Sequence, residues 1–364
     1  MPKITFNGRF LNAPQTGVQR VARELIVSML SVLDEHPDLK QKLAFELVSP
    51  PNPRSQLSHA GLTSRAAGNF SGQIWEQATL PNSHDGDLLV NLCNLSPLQA
   101  KNAITMIHDA QVFLSPESYS LAFRTWYRFM LPRIGKSARK ILTVSNYSAD
   151  QLVAFGIAPR EKIAVVHNGV DHILDHAPDP DIVAKLGLTP QGYAVGLAST
   201  QPHKNIQVLL DAYRDPRLGG YKLVLFGPAE RQDFIDAGLD LPDSVIVASW
   251  LSDAELRALY ENAHAVVFPS KTEGFGLPPL EGMTLGIPAI CANAGALPEV
   301  CGDAAIYADP NDVEAWINQI VTLVNEPPEA RAARSEACKK QASAYTWHRA
   351  GERLLQVIVD ELDL

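Results

Sequence analysis

The stretch Pro269-Ser-Lys-Thr-Glu-Gly-Phe-Gly-Leu-Pro-Pro-Leu-Glu281 joins a run of apolar residues to a segment with a helical pattern. The run that leads into it, AVVFP at residues 265–269, is apolar throughout, as in strands that are buried on both faces of a parallel sheet. Pro278 and Pro279 fall where the first turn of a helix tolerates proline. The stretch therefore predicts a strand, a glycine turn and a helix, which is the repeating pattern of a parallel α/β sheet.

The same alternation of apolar strands and amphipathic helices runs through the whole chain. Predicted strands occupy residues 4–6, 43–49, 87–93, 103–108, 141–145, 163–167, 193–199, 222–227, 245–250, 265–269, 289–292 and 304–308. Between them, residues 18–30 place apolar side chains at helical spacing, and Ser252 with Glu255 forms the capping-box pattern of a helix start. Because the alternation occurs twice, we predict two Rossmann-like, doubly wound α/β domains.

A stretch rich in proline and acidic residues, HILDHAPDPD at 172–181, separates the two series of strands. We therefore predict an N-terminal domain at residues 1–175 and a C-terminal domain at 176–345. Residues 346–364 again carry apolar side chains at helical spacing and are predicted to form a C-terminal helix. Doubly wound sheets bind ligands at the carboxyl ends of their strands, so two such domains predict a site in the cleft that they face.

Composition excludes several classes of protein. The 364 residues include 31 Lys and Arg against 40 Asp and Glu, and a net charge of −9 does not predict a nucleic-acid-binding protein. No apolar run reaches the length of a membrane span, and the first residues carry no apolar signal region. The four cysteines are far apart and form no CxxC pair. These features predict a cytoplasmic protein of two domains with reduced thiols.

Two carboxylates flank the glycine turn of the opening stretch. Gly274 and Gly276 allow the backbone to approach a ligand closely, and the free N–H groups of the following helix favour an anion. Glu273 and Glu281 accept hydrogen bonds, which suits the paired hydroxyls of a sugar or a ribose. The stretch thus predicts a diphosphate between two polyols. The alternative is a plain glycine turn, with a glutamate that only complements the helix dipole.

Glu273 and Glu281, set in PSKTEGFGLPPLEGMTLGIPAI, resemble the E-x7-E signature of the retaining glycosyltransferases of family four, which have a GT-B fold. Further blocks resemble the same family in the same order: SARKILTVSNYSADQL, VVHNGVD, HKNIQVLLDAY, LVLFG and LSDAELRALYENAHAVVFPS. The resemblance covers most of the chain. It implies two Rossmann-like domains that face a central cleft, with the C-terminal helix crossing back to pack on the first domain.

The resemblance also implies roles for individual residues. Glu281 would hold the ribose hydroxyls of the donor, Glu273 would contact the transferred sugar, and Lys204 would bind the diphosphate. The implied donor-binding set is Gly17, Ser199, Thr200, Lys204, Leu251, Glu273, Gly274, Phe275, Gly276, Leu277 and Glu281, and the implied catalytic set is His108, Lys204 and Glu273. One departure is that His203, and not an arginine, precedes Lys204. The alternative for Lys204 is a solvated lysine at a helix start.

Two residues of the first half complete this expectation. Gly17 lies in a loop before a helix, where relatives bring backbone N–H groups to the donor phosphates; an ordinary turn glycine is the alternative. His108 ends a predicted strand, and an imidazole there can donate to a sugar hydroxyl or shuttle a proton near neutral pH. A hydrogen-bonded core histidine is the alternative, with Asp109 orienting the ring.

Residues 118–140 are basic and aromatic in a chain that is otherwise acidic. They contain six basic residues and no acid, interleaved with aromatic side chains. Basic-aromatic helices bind anionic membrane surfaces, so we hypothesise that the first domain contacts the inner face of the cytoplasmic membrane. The alternative is a solvated basic face whose aromatic side chains belong to the core.

Taken with the resemblance, the sequence predicts a retaining hexosyltransferase that uses a nucleotide diphosphate sugar and a glycan or lipid-linked glycan acceptor. The resemblance to mannosyl- and rhamnosyltransferases of surface-polysaccharide and lipopolysaccharide assembly makes GDP-mannose the first candidate donor, followed by UDP-hexoses. We expect no metal and no cofactor besides the donor, and we interpret Asp85-Gly-Asp87 as a turn before a strand. The alternatives are a nucleotide-sugar epimerase of the same fold and a catalytically silent scaffold.

Overall fold

The computed structural model describes residues 1–14 and 16–364 and divides the chain into two compact units. Unit 1 comprises Met1–Gly169 and Trp347–Leu364, and unit 2 comprises Val170–Thr346. The division falls at residue 169, earlier than the expected boundary at 175. The reason is that Ile173, in the short 3-10 helix Asp171–Leu174, is buried in the hydrophobic core of unit 2.

Unit 1 is built on a parallel sheet. Its strands are β1 (Lys3–Asn7), β2 (Ala44–Ser49), β3 (Thr63–Ala66), β4 (Leu88–Asn91), β5 (Ala103–Met106), β6 (Lys140–Thr143) and β7 (Ile163–Val165). They lie in the order β3-β2-β1-β4-β5-β6-β7 with parallel pairing, so the order reverses between β1 and β4. Strand β3 was not predicted, because all four of its residues are exposed at the sheet edge and supply no apolar run.

Unit 2 repeats this arrangement. Its strands are β8 (Tyr193–Leu197), β9 (Lys222–Phe226), β10 (Val245–Ser249), β11 (Ala265–Phe268), β12 (Ala289–Ala292) and β13 (Ile306–Ala308). They lie in the order β10-β9-β8-β11-β12-β13, again parallel, with the reversal between β8 and β11. The two sheets confirm the predicted pair of Rossmann-like domains, and apolar side chains of β8, β9 and β11 form the core.

Helices connect the strands. They are α1 (Gly17–Asp34), α2 (Pro37–Lys40), α3 (Gly72–Ile74), α4 (Leu80–Ser83), α5 (Gln111–Leu114), α6 (Leu121–Ser137), α7 (Asn146–Ala154), α8 (Asp181–Lys185), α9 (Ile206–Ala212), α10 (Arg231–Asp236), α11 (Asp253–Glu261), α12 (Leu277–Thr284), α13 (Leu297–Cys301), α14 (Val313–Val324), α15 (Pro328–Ala342) and α16 (Trp347–Glu361). The predicted capping box is present at the start of α11, where Ser252 and Glu255 each accept a hydrogen bond from the other's backbone N–H.

The C-terminal helix α16 packs on α1 within unit 1. The closest approach is at Gly351, where an added Cβ would lie 2.7 Å from the backbone nitrogen of Met29 and 2.7 Å from the carbonyl carbon of Ser28. Glycine therefore lets the two helices approach more closely than any residue with a side chain would allow. Across residues 1–14 and 16–364, no helix combines the length and the apolar character needed to cross a membrane.

Candidate active site

Two loops of unit 2 follow strands that are neighbours at the centre of its sheet. Residues 198–205 follow β8, and residues 269–276 follow β11. Because the strand order reverses between β8 and β11, this edge is where a doubly wound sheet binds its ligand. The predicted stretch of glutamates and glycines is the second of these loops, together with the start of α12.

Lys204 and Glu273 meet across these two loops. The ammonium Nζ of Lys204 lies 2.6 Å from Oε1 of Glu273. The backbone N–H of Lys271 donates to the His203 carbonyl at 2.8 Å, and the Asn205 side chain donates to the Pro269 carbonyl at 3.1 Å. Since these contacts hold the loops together, the charge pair has a fixed position at the carboxyl edge of the sheet. An ammonium has three donors, so Lys204 can bind Glu273 and an anion together.

The loop at residues 274–276 has a single side chain, that of Phe275, between two glycines. Gly276 has a φ of +110° and precedes α12, and an added Cβ would lie 2.6 Å from Cδ2 of Leu297. The ring of Phe275 is buried and packs edge-on against Tyr345, with 5.6 Å between ring centroids. The phenyl group therefore serves packing, which fits the expected backbone contacts of this loop.

Glu281 is buried in α12 and is held by two partners that the sequence analysis missed. Nε2 of His172 lies 3.2 Å from Oε1 of Glu281, and the Tyr260 hydroxyl donates to Oε2 at 3.2 Å. His172 lies in the segment that was interpreted as a linker, and Tyr260 lies within the periodic pattern of α11. Neither spacing carries a signal for the contact, which arises only when α11, α12 and the Asp171–Leu174 turn pack together.

The remaining predicted donor residues of unit 2 lie at the ends of strands or at a helix start. Ser199 and Thr200 follow β8, and the hydroxyl of Ser199 accepts from the Gln201 N–H at 3.3 Å. Leu251 follows β10 and packs partly buried against the core, and Leu277 is the first residue of α12. These positions share the carboxyl edge of the sheet with Lys204 and Glu273.

In unit 1 His108 lies beyond the end of β5, and its surroundings differ from the expectation of a proton shuttle. Its Nε2 lies 2.9 Å from the carbonyl of Leu92, and its backbone N–H donates to Asn94. Burial lowers the pKa of His108 to about 4, so the ring is neutral near pH 7. Because a carbonyl only accepts, Nε2 carries the hydrogen and Nδ1 is an acceptor. This environment is that of the buried, hydrogen-bonded histidine of the alternative interpretation.

Gly17 is the first residue of α1 rather than a loop residue, and Thr16 caps that helix. Asp109 accepts a hydrogen bond from the Gln111 N–H at 3.0 Å, which places it at the start of α5. Asp85 and Asp87, which were interpreted as a turn before a strand, both contact Lys3, at 2.6 and 2.8 Å. Within the described ranges, no group of three or more His, Cys, Asp or Glu side chains is arranged to hold a metal ion.

A buried polar cluster that the sequence analysis missed lies where β1 and β4 meet. The Asn7 amide donates to Oε1 of Glu76 at 2.8 Å and to Oδ1 of Asn91 at 2.9 Å. Nε of Arg9 lies 2.9 Å from the same Glu76 oxygen, and burial raises the pKa of Glu76. Asn7 and Asn91 end the two strands at the point of reversal. This shared position is the signal that could have found the cluster.

Between residues 121 and 133, α6 exposes large apolar and basic side chains together, and we call this stretch the α6 surface. Its exposed apolar members are Leu121, Phe123, Trp126 and Phe129. The guanidinium of Arg133 lies 3.6 Å from the centroid of the Phe129 ring, and Arg128 is exposed on the same helix. The aromatic side chains of this surface are therefore not all part of the core, contrary to the alternative interpretation of the basic segment.

Comparison with known proteins identifies related chains. The family model described as Glycosyl transferases group 1 matches residues 180–341, and the model Glycosyltransferase Family 4 matches residues 83–173. O-antigen chain mannosyltransferase B of Escherichia coli is 32% identical over 69% of this chain and 68% of its own length. O-antigen chain mannosyltransferase RfbU of Salmonella typhimurium is 27% identical over 80% of both chains.

Among solved structures, HepE of Anabaena, determined in complex with UDP and glucose, superposes with a TM-score of 0.71. It is 17% identical, and the match covers 99% of this chain and 100% of that one, which shows a common GT-B fold. Together with the two family models and the 32% identity to a curated relative over two thirds of both lengths, this means that the chain is a glycosyltransferase of family 4.

Proposed function

We propose that this enzyme transfers mannose from GDP-mannose to a glycan or lipid-linked glycan acceptor, with retention at the anomeric carbon and without a metal ion. The observation that carries the proposal is the arrangement of Lys204, Glu273 and Glu281 around the start of α12. It offers one cation for a diphosphate and two carboxylates that can accept hydrogen bonds from the hydroxyls of two sugars.

Each of the three groups has one part in the proposed reaction. Lys204 binds the diphosphate and stabilises the negative charge that develops on it as the glycosidic bond breaks. Glu281 accepts hydrogen bonds from the ribose hydroxyls, and Glu273 accepts from a hydroxyl of the transferred sugar. Lys204 also makes a metal unnecessary for neutralising the leaving group, which is why we propose a metal-independent reaction.

Retention is proposed to follow a front-face route. The leaving diphosphate oxygen accepts the proton of the incoming hydroxyl, and that hydroxyl attacks the anomeric carbon from the same face. The enzyme then contributes position and charge stabilisation. The neutral His108 can accept a hydrogen bond through Nδ1 but is not required to carry a proton.

The choice of mannose rests on the relatives, which are named mannosyltransferases of the O-antigen chain. HepE, solved with UDP and glucose, makes UDP-glucose the second candidate donor. An epimerase of the same fold would turn over the donor without an acceptor, so the presence or absence of a transferred sugar separates the two activities.

The test is transfer of radiolabel from GDP-[14C]mannose, and in parallel from UDP-[14C]glucose, to a lipid extract that contains lipid-linked glycans. We expect label from GDP-mannose in the lipid fraction, in EDTA as well as without it. Glu273→Ala should lower turnover more than it weakens nucleotide binding. Label from UDP-glucose alone would correct the donor, loss of transfer in EDTA would refute metal independence, and donor turnover without transfer would favour the epimerase.

We further propose that the α6 surface binds the anionic face of a membrane, where a lipid-linked acceptor would be found. Exposed aromatic side chains next to Arg128 and Arg133 combine an apolar face with positive charge, as interfacial helices do.

A further inference from the structure

His172 lies next to Glu281 and has no role in the transfer reaction that we propose. Its side chain is 4% exposed, and its Nε2 lies 3.2 Å from Oε1 of Glu281. An ionised carboxylate only accepts hydrogen bonds, so Nε2 is the nitrogen that carries the hydrogen. His172 therefore holds one oxygen of Glu281, while the hydroxyl of Tyr260 holds the other at 3.2 Å.

The backbone that follows His172 is fixed by packing and by hydrogen bonds. The next residue, Ile173, is 1% exposed in the core that also contains Tyr260. Nη1 of Arg257 donates to the carbonyls of Leu174 and His176 at 3.0 and 2.9 Å. Arg257 and Tyr260 both belong to α11, so a single helix supplies one partner of Glu281 and fixes the segment that supplies the other.

Each carboxylate oxygen has two lone pairs. One pair on Oε1 faces His172 and one on Oε2 faces Tyr260, which leaves one acceptor on each oxygen of Glu281. Two acceptors separated by one carbon match the two adjacent hydroxyls of a ribose. Without the His172 N–H, the carboxylate of Glu281 is held by Tyr260 alone and can rotate out of this alignment. The buried negative charge also loses one of the two hydrogen bonds that stabilise it.

We propose that His172 is a positioning residue that orients Glu281 for the 2′- and 3′-hydroxyls of the donor's ribose. The inference rests on the proposed nucleotide-sugar site and adds a residue from outside the signature stretch. His172 acts through Glu281, so its contribution to binding should depend on the hydroxyls of the ligand.

The test is a cycle between variants of His172 and the hydroxyls of the nucleotide. Binding of GDP and of 2′,3′-dideoxy-GDP is measured by calorimetry, with UDP and its dideoxy form in parallel. His172→Leu fills the space without a donor, and His172→Gln restores an N–H group. His176→Leu is the matched control, because His176 lies in the same segment, is exposed, and is 3.8 Å from Asp253 rather than near Glu281.

We expect His172→Leu to weaken binding of the ribonucleotide about tenfold and binding of the dideoxynucleotide hardly at all, so that the wild-type preference for ribose is lost. His172→Gln should recover most of that preference, and His176→Leu should keep it. Equal weakening of both ligands, or an unchanged preference in His172→Leu, would overturn the inference while leaving the nucleotide site intact. A wild-type protein that binds none of the four nucleotides would overturn the proposed function itself. Circular dichroism on each variant confirms that the comparison is made between folded proteins.

Discussion

Nζ of Lys204 lies 2.6 Å from Oε1 of Glu273, although the two residues are 69 positions apart in the sequence. The contact joins the loops after β8 and β11, which are neighbours where the strand order reverses. Both side chains are mostly buried, at 19% and 11% exposure. The pair therefore places one positive and one negative group at the point where the fold binds its ligand.

Replacing Lys204 by Gln should weaken binding of a nucleoside diphosphate more than binding of the nucleoside. The reason is that a charge-assisted hydrogen bond contributes about 1.5–3 kcal/mol, which corresponds to roughly a ten- to hundredfold change in the dissociation constant. Calorimetric titration with GDP and guanosine measures the difference. Lys222→Gln, at the start of β9 on the opposite edge of the same sheet, is the control. An equal loss of affinity for GDP and for guanosine would contradict the proposal that Lys204 binds the diphosphate.

The buried His108 should make the folded protein less stable as the pH falls. Its pKa is lowered to about 4 by burial, whereas a histidine in the unfolded chain has a pKa near 6.5. Below that value the unfolded state binds a proton that the folded state does not bind, so stability is complete above about pH 6.5 and is lost progressively down to about pH 4.

The contribution of His108 amounts to about 2 kcal/mol between pH 7 and pH 5. Urea unfolding of the wild type and of His108→Gln at several pH values measures it, because the other titrating groups cancel in the difference. The difference between the two proteins in the free energy of unfolding should decrease by that amount as the pH falls from 7 to 5. If the free energies of unfolding of both proteins changed with pH in the same way, His108 would not be held neutral in the folded state. His36→Gln, at an exposed position, should follow the wild type.

Replacing Gly351 by Val should destabilise unit 1. A Cβ at this position would lie 2.7 Å from backbone atoms of Met29 and Ser28, which a helix can relieve only by moving. Overpacking of this kind costs about 1–3 kcal/mol in the free energy of unfolding. Thermal and urea unfolding measure the loss. Glu352→Ala, at the next and exposed position, should stay within about 0.5 kcal/mol of the wild type. Full stability of Gly351→Val would contradict the packing of α16 on α1.

Charge reversal on the α6 surface should reduce binding to anionic vesicles. Each basic residue near such a surface contributes about 1 kcal/mol, so Arg128→Glu with Arg133→Glu should lower partitioning at least about thirtyfold. Sedimentation with phosphatidylglycerol vesicles, and with phosphatidylcholine vesicles as the neutral comparison, gives the measurement. The pair Lys42→Glu and Arg54→Glu changes the net charge equally at exposed positions outside α6. Unchanged partitioning of the α6 variant would refute the membrane proposal.

The repeating pattern of the chain was sufficient to predict the two parallel sheets. Apolar runs such as residues 265–268 mark strands that are covered on both faces, and a run is visible without knowing its neighbours. The edge strand β3 was not predicted, because its exposed residues, Thr-Ser-Arg-Ala at 63–66, need no apolar side chain. The same reasoning predicts the backbone of the candidate site, since the glycines and glutamates of one stretch are adjacent in sequence.

The resemblance placed Lys204 in the same site as Glu273, but the direct contacts of the two glutamates could not be predicted. Lys204, His172 and Tyr260 reach them from other loops and helices, and only the packed fold brings these residues together. The burial of His108 could not be predicted for a related reason. A histidine at the end of a strand is equally compatible with solvent and with burial, and the Leu92 carbonyl that fixes its Nε2 comes from a different strand connection.

We propose that α12 and the loops beside it bind a nucleoside diphosphate through Glu281. The most direct measurement is thermal unfolding of the wild type and of Glu281→Gln against GDP, UDP and dTDP. A ligand at about 100 times its dissociation constant adds about 2.7 kcal/mol to stability, which is roughly three to four degrees for a chain of this length. We predict a rise in melting temperature with GDP that is absent from Glu281→Gln. No rise with any of the three nucleotides, or the same rise in the variant, would contradict the account.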